Sequence, residues 1–103
     1  MKESNEKATK RIFVGGMSQG GVMSLYYSLS SSILVGGVIC LSGYVLPSIT
    51  PLRNIGNLPM LLIHGSNDTV IRESEAKNSY SELLNKRLVE YKSIKGLGHN
   101  VCF

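Results

Sequence analysis

A chain of 103 residues, 43% hydrophobic and 17% charged, has room for one small domain and no more. Its apolar share excludes a disordered chain, and 11 Gly, two Cys and no Trp in these proportions exclude collagen-like, coiled-coil and disulfide-scaffold classes. The net charge of +4 invites a nucleic-acid partner, but the positive residues are scattered, with Lys10-Arg11 and Lys86-Arg87 as the only adjacent pairs. No segment interleaves aromatic and basic residues as a single-strand binder does, so the charge reads as solvated surface and no nucleic acid is expected.

The first ten residues are polar and form a lead-in (1–10), and the domain proper runs over 11–103. The opening MKESNEKATKR has no apolar core of the kind a signal peptide needs. Arg11 to Gly15 is a β-rich run fit for a strand buried on both faces. From Gln19 the pattern turns helical, with Val22, Leu25, Tyr26 and Leu29 on one face and Ser30-Ser31-Ser32 as its end. Ile33 to Leu41 predicts a second buried strand and is also the longest apolar stretch. It is about half of what a membrane span requires, so no stable membrane insertion is expected. Gly43 to Leu58, with Pro47 and Pro51, is loop. Pro59 opens a third strand, Met60 to Ile63, and His64 to Asp68 is a turn cluster. Arg72 to Lys86 predicts a second helix with Ala76, Tyr80, Leu83 and Leu84 inward. Val89 to Ile94 alternates as a last strand with one wetter side. Strands alternating with helices give an α/β domain of about four parallel strands with helices packed on the sheet.

Cys40 lies in an apolar run and Cys102 near the C-terminus, with neither CxxC nor Cys/His metal spacing. A reduced, cytoplasmic chain with no metal site is expected. The chemistry lies instead in Gly16-Met-Ser18-Gln-Gly20, a GxSxG pentapeptide placed where the first strand stops and the first helix begins. A serine there sits on a tight turn, exposed above the sheet edge at the positive end of the helix. The flanking glycines are expected because a Cβ would clash with strand or helix, and the Gln19 N–H points where an oxyanion forms.

A serine hydroxyl needs a base. His99 follows the last strand in a Gly-rich loop and can reach over the sheet edge; His64 ends the third strand and reads as a structural histidine that satisfies loop backbone. The base needs a carboxylate to orient it. Asp68 is the only aspartate and follows the third strand, where helix capping is the competing role. Ser18, Asp68 and His99 each stand just past a predicted strand, in the Ser…Asp…His order of the α/β-hydrolase class.

Taken together, Gly15-Gly-Met-Ser-Gln-Gly-Gly21, Leu41-Ser-Gly-Tyr-Val-Leu-Pro47, His64-Gly-Ser-Asn-Asp68 and Gly98-His99 resemble the acyl-protein thioesterase family, also called the phospholipase/carboxylesterase family. The likeness runs from about Arg11 to Cys102. Met17 departs from the family's frequent aromatic residue. The resemblance implies Ser18 as nucleophile, His99 as general base and acid, Asp68 as its orienting partner and the Gln19 N–H as one oxyanion donor. It implies a substrate that is an S-acylated protein or a small acyl ester, no cofactor, and an acyl groove bordered by 42–47, with Leu46 and Pro47 as its candidates.

The family's domain is about twice this length, so the likeness is to its C-terminal half. The early strands and the histidine-glycine loop that brings a second oxyanion donor have no counterpart in these residues. One such donor is worth about 3 kcal/mol, and without neighbouring strands Arg11 to Gly15 is expected to be an exposed apolar edge. Two other readings therefore stay open. One is an inactive fragment, or a half-domain without catalysis of its own that pairs with a missing half or another chain. The other is an α/β-hydrolase of another class, such as a dienelactone-hydrolase-like esterase, against which the SQGG and LSGYVLP segments favour the thioesterase branch.

Overall fold

The computed structural model describes residues 12–31, 35–46 and 57–99. The lead-in, Arg11, Ile33, Pro47, Pro51 and Cys102 lie outside them. Among the described residues the elements are β1 (Phe13–Met17), α1 (Gln19–Ser30), β2 (Gly37–Leu41), β3 (Met60–Gly65), α2 (Glu73–Ser79) and β4 (Val89–Ile94). The four strands form one parallel sheet in the order β1-β2-β3-β4, the α/β arrangement expected.

Parallel crossovers are right-handed. A strand order that never reverses therefore sends every connection across the same face of the sheet. Register shows which side chains that face carries: Val14 pairs with Val38 and Gly16 with Cys40, Val38 with Met60, and Cys40 with Leu62, which meets Tyr91. Against them pack Leu25 and Leu29 of α1, Val45 and Leu58 from the β2–β3 connection, and Ala76, Tyr80 and Leu83. The buried side of α1 also carries Gly21, Ser24 and Ser28, small residues that let the helix lie close to the strands.

Alternation puts Phe13, Met17, Ile39 and Ile94 on the opposite face, and all four are exposed. Phe13 is 68% accessible and Ile39 46%. The first strand is therefore not buried on both faces, as its run of apolar residues suggested. Among the described residues it is a sheet edge with one face wet.

Four other boundaries or faces differ from the periodicity. Strand β2 begins at Gly37, although the Gly36 N–H already reaches across to the Ile12 carbonyl at 2.7 Å. Strand β3 runs on through His64 and Gly65, so His64 is a strand residue and not a turn residue. On α1, Tyr26 is exposed and its place on the inner face is taken by Gly21, Ser24 and Ser28. Helix α2 stops at Ser79, well short of Lys86. At Tyr80 (φ −89°, ψ 5°) the N–H is shared among earlier carbonyls, and Leu83 and Leu84 then both bond back to the Tyr80 carbonyl. That tightened path drives Tyr80 and Leu83 into the core and leaves Leu84 exposed.

Candidate active site

Ser18 is the single residue between β1 and α1, and it has φ 58° and ψ −120°. A non-glycine residue there costs on the order of 1–3 kcal/mol, and the fold holds it from both sides. The Ser18 N–H donates to the Leu41 carbonyl at 2.8 Å, while its own carbonyl accepts the first helical bond, from Val22, at 3.0 Å. Serine at a helix N-cap ordinarily bonds the helix backbone with its hydroxyl. Ser18 makes no such bond, and its Oγ instead lies 2.8 Å from His99 Nε2. Gln19 is the first residue of α1, where backbone N–H groups have no intrahelical partner and the helix dipole is positive.

The glycine requirement falls differently from the motif. A Cβ on Gly16 would stand 2.3 Å from the Gly20 carbonyl carbon, so strand and helix meet there with no room for a side chain. Gly20 faces open space among the described residues, which corrects the expectation that both motif glycines are sterically forced. Another close approach is at Gly21, outside the pentapeptide, where a Cβ would lie 2.8 Å from Cys40 Sγ. Burial pushes the Cys40 thiol up from its ordinary pKa, outweighing the hydrogen bonds from Tyr80 and Gly43, so Cys40 is no rival nucleophile.

His99 arrives by a second close approach. A Cβ on Gly65 would lie 2.1 Å from the Leu97 carbonyl oxygen, so only glycine at the end of β3 lets the loop after β4 pass over it. The two loops are laced together: Asn67 N–H to the Leu97 carbonyl at 3.0 Å, Ser66 N–H to the Ile94 carbonyl at 3.0 Å, and Gly96 N–H to Ser66 Oγ at 2.8 Å. This lacing sets His99 Nδ1 2.9 Å from Asp68 Oδ2. A carboxylate only accepts, so Nδ1 carries the hydrogen and Nε2 is free to accept from Ser18 Oγ–H. The His99 side chain is 16% accessible and that of Asp68 is sealed.

Burial works to raise the Asp68 pKa. The His99 hydrogen bond, the Ile71 and Val70 amides and the charge of a protonated His99 together outweigh it, and the carboxyl is held below its ordinary value. Its Oδ1 takes both amides, Val70 at 3.0 Å and Ile71 at 2.9 Å. Glu73 is likewise held low, first by Ser93 and then by Tyr91, whose hydroxyl lies 2.5 Å from Oε2.

The structure thus brings Ser18, His99 and Asp68 into one hydrogen-bonded row and sets Gln19 beside it. Leu46 lies partly buried against the core, and Pro47 lies outside the described residues. His64 is buried and bonded to the Ile71 carbonyl. Sequence reasoning missed the Gly65–Leu97 crossing; the glycine directly after His64 was its only trace.

The phospholipase/carboxylesterase family profile matches residues 2–103. Acyl-protein thioesterase 1 homolog 1 of Dictyostelium discoideum is 39% identical over 103 residues, which cover 95% of this chain and 45% of that protein. Acyl-protein thioesterase 1 of Yarrowia lipolytica is 36% identical over 100 residues, covering 90% of this chain and 44% of its own length. The crystal structure of Arabidopsis thaliana SOBER1 superposes with a TM-score of 0.75 at 26% identity, covering 98% of this chain and 52% of that one. The chain spans about half the length of the curated relatives it matches. None of the described helices is long and apolar enough to cross a membrane. Sequence and fold agree: the chain belongs to the phospholipase/carboxylesterase family and carries part of an α/β-hydrolase fold.

Proposed function

We propose that the chain is the catalytic portion of a cytoplasmic serine hydrolase that cleaves acyl thioesters or esters, on an S-acylated protein or a small acyl ester. The observation that carries this is the row Ser18 Oγ, His99 Nε2 and Nδ1, Asp68 Oδ2, with separations of 2.8 and 2.9 Å. As Ser18 Oγ attacks the acyl carbonyl, its proton passes to His99 Nε2, and the buried Asp68 carboxylate stabilises the imidazolium. The carbonyl oxygen becomes an oxyanion against the Gln19 N–H at the start of α1. Collapse expels the thiol or alcohol, which takes the proton from His99, and leaves an acyl ester on Ser18. Water deprotonated by His99 then releases the acid. No cofactor enters these steps. Leu46 and Pro47, which follow β2 in the sequence, are the proposed wall of the acyl groove.

Fluorophosphonate labelling tests the assignment. The wild-type protein should label covalently and Ser18→Ala should not; equal labelling of both would rule Ser18 out as nucleophile. Faster turnover of a palmitoyl thioester than of a small lactone supports the thioesterase branch, and the reverse order supports a dienelactone-hydrolase-like substrate.

The exposed Phe13, Met17 and Ile39 favour a companion reading, in which further polypeptide, within a longer chain or from another one, seats on the outer face and free edge of β1. Hydrogen exchange of the β1 amides in the intact protein distinguishes the two cases. Protection supports a seated partner, and rapid exchange along the free side removes it.

A further inference from the structure

His64 is fully buried at the end of β3, four residues before Asp68. Its Nε2 lies 2.6 Å from the Ile71 carbonyl oxygen. A carbonyl only accepts, so Nε2 carries the hydrogen and donates. The same nitrogen is 3.3 Å from Asp68 Oδ2, the oxygen that receives His99 Nδ1–H. Nδ1 of His64 is buried with no hydrogen-bond partner among the described residues. A leucine or methionine would fill this space without stranding a ring nitrogen, so filling space does not account for an imidazole here. What the ring supplies is the Nε2–H. It closes the turn after β3 from the far side: Asp68 Oδ1 holds the Val70 and Ile71 amides, and His64 holds the Ile71 carbonyl. The carboxylate is clamped between them with Oδ2 turned to His99.

We propose that His64 is a positioning residue for the reaction at Ser18. It touches neither substrate nor reacting atoms and acts through Asp68, fixing the turn so that Oδ2 meets His99 Nδ1. The proposal rests on the hydrolase function given above.

The test uses the intact protein with His64→Gln, which keeps a donor, and His64→Phe, which keeps a ring without one, each alone and combined with Asp68→Asn. Hydrolysis of a p-nitrophenyl ester gives kcat and KM, and fluorophosphonate labelling reports on Ser18. His64→Phe should lower kcat roughly ten- to a hundredfold with KM within about twofold, since small misplacements cost rate more than binding. His64→Gln should recover most of that loss. In the Asp68→Asn background His64→Phe should cost less than about threefold, because the two residues act as one unit. If His64→Phe melts early, His64→Met replaces it as the variant without a donor. A Phe or Met variant at least as active as Gln, or one equally costly in both backgrounds, overturns the proposal while a labelled Ser18 leaves the hydrolase function standing. A wild-type protein that does not label at Ser18 overturns both.

Discussion

The two faces of the sheet are made by the same strands, residue by residue in alternation, yet they have different fates. On one, Cys40, Leu62 and Met60 lie under α1, the β2–β3 connection and the segment around Tyr80. On the other, Phe13, Met17 and Ile39 meet solvent. The difference is topological, not compositional: the order of the described strands does not reverse, so no right-handed crossover between them reaches the second face. A doubly wound sheet gains its second layer only where the order turns back.

The covered face should be intolerant and the open face indifferent. The largest expected effect is at Gly16. A methyl group there collides with the backbone of Gly20, so Gly16→Ala should cost about 4 kcal/mol or more, or prevent folding, as read by urea denaturation. Leu62→Ala should cost about 2–5 kcal/mol in the same measurement, as a fully buried leucine does. Titration probes the covered side without mutation. Asp68 is held low in the fold, so its stabilisation is complete above its ordinary value of 3.8 and drains away as pH falls from there through the lowered one. Buried Tyr80 is shifted upward, chiefly by desolvation, so its contribution is complete below its ordinary 10.0 and is lost as pH rises beyond it. Melting temperature against pH should therefore fall at both ends, and Asp68→Asn should flatten the acid side.

Smaller effects lie where there is room. Gly20→Ala should stabilise by about 0.5–1 kcal/mol, because the position is helical, faces open space and pays glycine's entropy cost. A loss there instead would mean that another segment occupies the space. Ile39→Thr, on the open face, should move stability by less than about 0.5 kcal/mol. A cost above 2 kcal/mol would show that the face is covered in solution and would erase the contrast.

How much of this was legible beforehand depends on which physics set each feature. The order of strands and helices followed from hydrophobic period, and the Ser18, Asp68, His99 row from residue type and position past each strand. A run such as Phe13 to Met17 reads alike whether a strand is flanked or free, because its neighbours are not written in it. The end of α2 hid for another reason: Ala76, Tyr80, Leu83 and Leu84 keep helical spacing, yet the backbone tightens at Tyr80, which is buried against Cys40 of β2 and Tyr91 of β4, and Leu84 is left outward. Close approaches such as Gly21 on Cys40 and Gly65 on Leu97 are pairwise and long-range, so no local pattern announces them.

The bond between Ser18 and His99 joins positions 81 apart in the chain. During synthesis the Ser18 hydroxyl emerges well before His99. Until β4 has docked and the loops over Gly65 are laced, the imidazole does not stand beside it. The contact therefore forms only when the strands at the two edges of the described sheet have both taken their places.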